Sequence, residues 1–276
     1  MPEIQSFEEA VQKRNILIEA AKTAPKSGYR SLDNMIQGFL PGQLTVVTGV
    51  SSMGKTTFVA NVAANVCLQE KYVLFFSLES GVNVVDPIST VLGMRDSQHL
   101  KLCSPDQSMS FREVISTIER NLHQTDLVIL DHIHYLTKAD GIQMSVKISD
   151  IVRQLQLNAR RLQVPIIVVA HTRKLLNDKS LPGINDIKDA SALYQDPSTV
   201  LFIHRFRKTP DEVAPGEDLI SKNGILIVSK NRDFGKTGNL SLEFDPTTLR
   251  IAIEGQWPGE KESKLEKDVR DILDAQ

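Results

Sequence analysis

The chain has 276 residues, 41% hydrophobic and 24% charged, with a formal net charge of −2. That composition supports one core and leaves two full domains cramped, and no stretch approaches the ~18 apolar residues that a membrane span requires. The charge excludes a uniformly basic protein, so a nucleic-acid surface has to be a local patch, and two cysteines without metal-ligand spacing fit a reducing, cytoplasmic setting without structural zinc.

The first predicted element is an amphipathic helix over residues 6–22, with Phe7, Ala10, Val11, Leu17, Ile18 and Ala21 on one face. Its start, MPEIQSFEEA, is acidic and lacks the apolar stretch of a signal peptide. The breaker Pro25-Lys26-Ser27-Gly28 follows, so residues 1–27 read as a helix and linker that either packs on its own core or docks on a neighbouring subunit.

A buried strand is predicted at Leu44–Thr48, and a helix through Phe58, Val59, Val62, Ala63 and Val66. Between them stand Gly49-Val50-Ser51-Ser52-Met53-Gly54-Lys55-Thr56, which fit the phosphate-loop pattern G-x-x-x-x-G-K-[ST] at every fixed position. The physical reason is specific: glycines let backbone N–H groups turn around the β-phosphate, Lys55 supplies a point charge, and the Thr56 hydroxyl suits Mg²⁺. Thr57 is grouped with this set, which implies ATP as ligand.

Five further apolar runs precede a change of pattern: Val73–Phe76, Leu127–Leu130, Ile166–Val169, Val200–Ile203 and Ile225–Val228. Their alternation with helical segments predicts a mainly parallel sheet flanked by helices. One of those helices carries Ile148, Ile151, Val152, Leu155, Ala159 and Leu162 on one face. Asp131 ends the second of these runs, at the strand edge where ligands of open α/β sheets collect, and is a candidate Mg²⁺ ligand. Glu79 follows the first at the same edge; it is either a base that orients water or a solvated strand-end residue. His171 ends the third, placed to sense a γ-phosphate or satisfied by nearby backbone. Lys230 and Arg232 alternate after Val228. A C-terminal antiparallel hairpin is predicted at Leu240–Phe244 and Leu249–Ile253 around Asp245-Pro246-Thr247-Thr248. Residues 28–255 thus read as one ATPase unit and 256–276 as a charged tail or helix.

The ordered set of the phosphate loop, Phe-Phe-Ser-Leu-Glu at 75–79, Leu-Asp-His at 130–132, Val-Pro-Ile-Ile-Val-Val-Ala-His at 164–171 and Val-Ser-Lys-Asn-Arg at 228–232 resembles the RecA-type motor domain of DnaB-like hexameric replicative helicases. Within that family the chain is most similar to the phage primase-helicase and Twinkle branch, because His171 stands where bacterial members usually carry Gln. The resemblance implies a RecA-like P-loop NTPase, an ATP- and Mg²⁺-dependent helicase acting 5'-3' on single-stranded DNA, and a homo-oligomeric, hexameric ring. It also implies residue roles: Glu79 as base, Asp131 with Thr56 on Mg²⁺, His171 as γ-phosphate sensor, and Lys230 and Arg232 reaching the neighbouring subunit's nucleotide. Gln195 aligns with a polar position near the nucleotide. The segment after His171, with Arg173, Lys174 and Lys179, corresponds to a channel loop for DNA, and a second such loop spans Thr137 to Ser145, with the amides near Gly141 facing phosphates. Those cations read equally as a solvated loop.

Two departures limit the likeness. Lys188-Asp189-Ala190-Ser191-Ala192 replaces a usual Ser-Gly-Ser stretch, and the short segment ahead of Gly49 leaves no room for an amino-terminal primase or collar domain. A primase or loader would then act in trans. Rival readings are a RecA-fold ATPase of recombinase or signalling type, without unwinding, and a platform that only holds ATP.

Overall fold

The structure is a computed structural model that describes residues 6–93, 98–105, 109–136, 143–171, 192–208, 213 and 219–260. Its centre is a nine-stranded sheet: β1 (Leu44–Gly49), β2 (Val73–Ser77), β3 (Leu100–Cys103), β4 (Leu127–Asp131), β5 (Ile166–His171), β6 (Thr199–Arg207), β7 (Ile220–Asn231), β8 (Gly238–Asp245) and β9 (Arg250–Ile253). The spatial order is β3-β2-β4-β5-β1-β6-β7-β8-β9. The first six in this order run parallel, and β7, β8 and β9 pair antiparallel.

Every residue of β1, β2 and β4 is buried, which requires helices on both faces. One face packs Val47, Phe75, Ile129 and Val169 against α3 (Lys55–Cys67) and α4 (Val85–Leu92). The other packs Val46, Phe76, Leu130 and Val168 against α5 (Phe111–Asn121) and α6 (Met144–Leu162). In α6 the buried residues include Ile148, Ile151, Val152, Leu155 and Ala159, the predicted stripe, while Arg153, Arg160 and Arg161 lie exposed.

The predicted hairpin is present as β8 and β9, but the antiparallel section begins one strand earlier, at β7. A four-residue apolar run fixes burial and carries no information about strand direction. The short β3 has no counterpart among the predicted runs, because Leu-Lys-Leu-Cys is a half-buried edge strand with a lysine in it.

Helix α1 (Phe7–Thr23) opens with a reciprocal capping box in which Ser6 accepts from the Glu9 amide and Glu9 accepts from the Ser6 amide. It rests on the body near its C-terminal end, through Ala21 and Leu17 beside Leu40 and Phe234. Arg14 adds a hydrogen bond to the Asp233 carbonyl at 2.7 Å. Phe7 is 83%, Val11 41% and Ile18 41% exposed, so the apolar face is only partly covered by its own chain.

Candidate nucleotide-binding and catalytic site

The phosphate loop leaves β1 at Gly49 and enters α3 at Lys55. Both fixed glycines have a backbone reason. A Cβ on Gly49 would stand 2.3 Å from the Ile203 carbonyl oxygen, and Gly54 holds φ +93°, a conformation that L side chains rarely adopt. The first amides of α3 have no partners within the helix, and a helix N-terminus of this kind stabilises an anion. Lys55 is buried and donates from Nζ to the Val50 carbonyl at 2.8 Å. Burial lowers its pKa to about 8, while Glu79 and Asp131 act to raise it.

Thr56 Oγ1 lies 3.2 Å from Asp131 Oδ1, and Oδ2 of the fully buried Asp131 has no hydrogen-bond partner. A hydroxyl and a carboxylate with spare lone pairs in a buried setting form the oxygen donor set that Mg²⁺ takes, so these residues fit that ion. Burial raises Asp131 to about 7; the Thr56 hydrogen bond and Lys55 oppose this, and the Glu79 charge adds to it.

Glu79 is held beside this pair because its amide donates to the Asp131 carbonyl at 3.2 Å, tying the end of β2 to the end of β4. Its Oε1 is 3.8 Å from His171 Nε2. His171 ends β5 as the register partner of Gly49, so strand pairing alone sets the ring beside the loop. Burial, with Lys55 second, pushes His171 down to about 4, leaving a neutral imidazole at neutral pH.

Two histidines escape the sequence reading as site residues. The fully buried His132 stacks on His171 at 3.9 Å between ring centres, and its Nδ1 lies 2.9 Å from Nδ1 of His134. The available signal is Asp-His-Ile-His at the end of a buried strand. Arg205 and Phe244 escape it as well. The Arg205 amide donates to Met53 Sδ at 3.4 Å, and its guanidinium sits 4.3 Å over the Phe244 ring. They line a cavity of about 440 Å³ together with Lys208, Ile220, Lys222 and Pro246.

Lys230, Arg232 and Gln195 form a separate group. Lys230 donates to the carbonyls of Tyr194 and Gln195 at 2.6 and 2.7 Å, and Arg232 donates to the Gln195 carbonyl at 2.7 Å. In register Thr45 pairs with Thr199, and Thr199 with Asn231, so this group stands at the start of β1, whereas the phosphate loop leaves its end. Four strand residues separate the two levels, roughly 13 Å. Gln195, aligned with a position near the nucleotide, therefore does not join its own chain's loop. Burial lowers Lys230 to about 8, the Arg232 charge adds to this, and Asp196 opposes it. Arg153, Arg160 and Arg232 line a cavity of about 270 Å³ here. Gly141, Arg173, Lys174 and Lys179 lie outside the described residues, and no described helix is long and apolar enough to cross a membrane.

The model of the DnaB-like helicase C terminal domain matches residues 25–86 and 89–252. A probable plasmid replicative DNA helicase of Chlamydia muridarum is 26% identical over 264 residues, covering 84% of this chain and 55% of that protein. Replicative DNA helicase DnaB of Haemophilus influenzae is 25% identical over 282 residues, covering 88% of this chain and 58% of that protein. The chain thus spans little more than half the length of these relatives. Among solved structures, one described as an ATPase domain superposes with a TM-score of 0.70 at 20% identity, covering 94% of this chain and 100% of that one. A DnaB-like replicative helicase, described with its interactions with primase, gives 0.69 at 21% identity and covers 94% and 68%. The two superpositions give the fold as that of RecA-type ATPase domains. The family match spans most of the chain, and with it the phosphate loop and the strand ends that carry Glu79, Asp131 and His171: the chain belongs to the DnaB-like helicase C-terminal domain family.

Proposed function

We propose that this chain is the ATP-hydrolysing motor of a ring-shaped replicative DNA helicase, moving 5'-3' along single-stranded DNA and separating duplex ahead of it. The observation that carries the reading is the division of charged groups between two sheet edges. Phosphate loop, Thr56, Asp131, Glu79 and His171 gather at one edge, and Lys230 and Arg232 stand at the other, out of reach of that site. Cations so placed meet a nucleotide only when a second copy presents its loop to them, which closes naturally into a ring. The partly uncovered apolar face of α1 supports the same assembly, as a surface for the adjacent subunit.

In this reading the loop amides and Lys55 hold the β- and γ-phosphates, and Thr56 with Asp131 would hold Mg²⁺, which would neutralise phosphate charge. Glu79 accepts a proton from the water whose oxygen forms a bond to the γ-phosphorus, while the bond to the bridging oxygen breaks and ADP leaves. The neutral His171 donates to a γ-oxygen and loses that bond on phosphate release. Arg205 and Phe244 offer a cation and an aromatic face beside Met53, suited to a stacked nucleobase. Arg173, Lys174, Lys179 and the backbone around Gly141 would line the DNA channel, with a primase or loader docking in trans and the whole acting in the cytoplasm.

ATPase rate with and without single-stranded DNA, measured beside solution mass and strand displacement, tests the proposal. Stimulation by DNA, a hexameric mass and displacement are expected. Turnover that ignores DNA, or an active monomer, would overturn it, and DNA-stimulated turnover without displacement would favour a recombinase-type ATPase.

A further inference from the structure

Beside the phosphate loop the site holds a second donor set, of different chemistry from the Thr56–Asp131 pair. Ligand atoms of Glu79, His132 and His171 all lie within 4.8 Å of one another, and Glu79 Oε1 to His171 Nε2 is 3.8 Å. A tetrahedral Zn²⁺ with bonds of about 2.0–2.1 Å places its ligand atoms about 3.3 Å apart, so the three groups need close by up to about 1.5 Å. Rotation of the exposed Glu79 side chain supplies part of that movement, and the stacked His132 and His171 rings, 28° between planes, supply the rest by tilting further apart. A buried atom also calls for a partner: Nε2 of the fully buried His132 makes no hydrogen bond in the structure. His134 contacts the opposite nitrogen of the same ring at 2.9 Å, which is the orientation a supporting group gives a metal-binding imidazole.

We propose that Glu79, His132 and His171 form an inhibitory site for a borderline transition-metal dication of the Zn²⁺ class, with His134 orienting His132. Two imidazole nitrogens and one carboxylate select Zn²⁺ or Co²⁺ over Mg²⁺, which prefers an all-oxygen set and has Thr56 and Asp131. Three protein ligands leave a fourth position for water or a phosphate oxygen. Occupation draws the Glu79 carboxylate onto the metal and His171 away from the γ-phosphate. The effect on turnover rests on the proposed roles of Glu79 and His171; the binding itself does not.

The test uses the full chain, nucleotide-free and stripped of metal. Zn²⁺ affinity is read by competition with a chromogenic chelator, and Co²⁺ by the visible absorption of a tetrahedral complex. One tight site per chain is expected, weakened at least ~10-fold in His132→Ala and in Glu79→Gln, about tenfold in His134→Ala, and unchanged in His123→Ala, a histidine on the distant turn after α5. If His132→Ala fails to fold by circular dichroism, His132→Gln and Glu79→Gln decide. Unchanged Zn²⁺ affinity in folded variants would overturn the site, as would loss confined to Asp131→Asn, which would put the ion on the Thr56–Asp131 pair. Zn²⁺ at a concentration that fills the site should stop ATPase despite excess Mg²⁺, and a chelator should restore it; full turnover at saturation would overturn the inhibitory role. A Zn²⁺-free chain without any ATPase activity in the presence of Mg²⁺ would refute the motor reading and leave the Zn²⁺ measurement standing.

Discussion

Glu79 Oε1 stands 3.8 Å from His171 Nε2, although Glu79 follows β2 and His171 ends β5, strands that are separated in the sheet by β4. A carboxylate so placed can take a proton from an attacking water. Replacing the carboxylate by an amide preserves size and phosphate contacts while removing the base. Glu79→Gln is therefore expected to bind ATP normally and to turn over at least ~100-fold more slowly, the usual scale of a general-base contribution. Equilibrium nucleotide binding measured beside single-turnover hydrolysis checks this. Lost binding would make Glu79 structural or a metal ligand.

Asp131 gives a pH prediction with a definite sign. Its pKa is about 7 folded against 3.8 as an ordinary carboxyl, so the folded state holds the proton more tightly. The stability from this group is fully present below pH 3.8 and is lost as pH rises to about 7, above which the penalty is constant. Asp131→Asn, which cannot ionise, should melt close to the parent near pH 4 and several degrees higher at about pH 7.5, in metal- and nucleotide-free protein. Equal shifts at both pH values would contradict buried ionisation as the cause. Mg²⁺ requires the ionised carboxylate, so its apparent affinity in the parent should rise up to about pH 7 and then level, with a proton released on binding.

The cavity lined by Arg205 and Phe244 makes a prediction about the base rather than the phosphates. Phe244→Ala is expected to weaken ATP binding by about tenfold, within the range of a single base–aromatic stack. Inorganic triphosphate, which has no base to stack, should compete equally well against parent and variant. Equal losses for both ligands would place Phe244 in the support of the phosphate loop instead.

The elements legible in the sequence are those whose reason is local. Gly49 and Gly54 are dictated by a carbonyl contact and a positive φ, and Asp131 and His171 follow buried apolar runs that must end at a sheet edge. What stays hidden depends on register between distant strands. Arg205 reaches Phe244 because Arg205 pairs with Gly224 and Gly224 with Leu242, across three strands. Gln195 stands at the start of β1 because β6 runs parallel to it, and Arg232 joins Gln195 there because β7 runs antiparallel, which its apolar run does not encode. The cluster of His132, His134 and His171 joins residues from two strand ends, and only the first two are neighbours in sequence.

Arg232 supplies the sharpest prediction, because a residue acting across a subunit boundary leaves a signature that one acting in its own site cannot. Arg232→Ala should be inactive although every subunit keeps a complete loop, and Lys55→Ala should be inactive although every subunit keeps Arg232. Mixed, the two should regain partial ATPase activity, since some boundaries then pair an intact loop with an intact arginine from the neighbour. Recovery requires assembly, so dilution below the association range should abolish it. Titrating Arg232→Ala into the parent distinguishes independent boundaries from coupled ones: activity falls in proportion to mutant fraction in the first case and far more steeply in the second. A mixture shown by mass to co-assemble, inactive alongside a proportional titration, would refute an arginine supplied in trans, because independent boundaries leave no other reason for the mixed ring to stay silent.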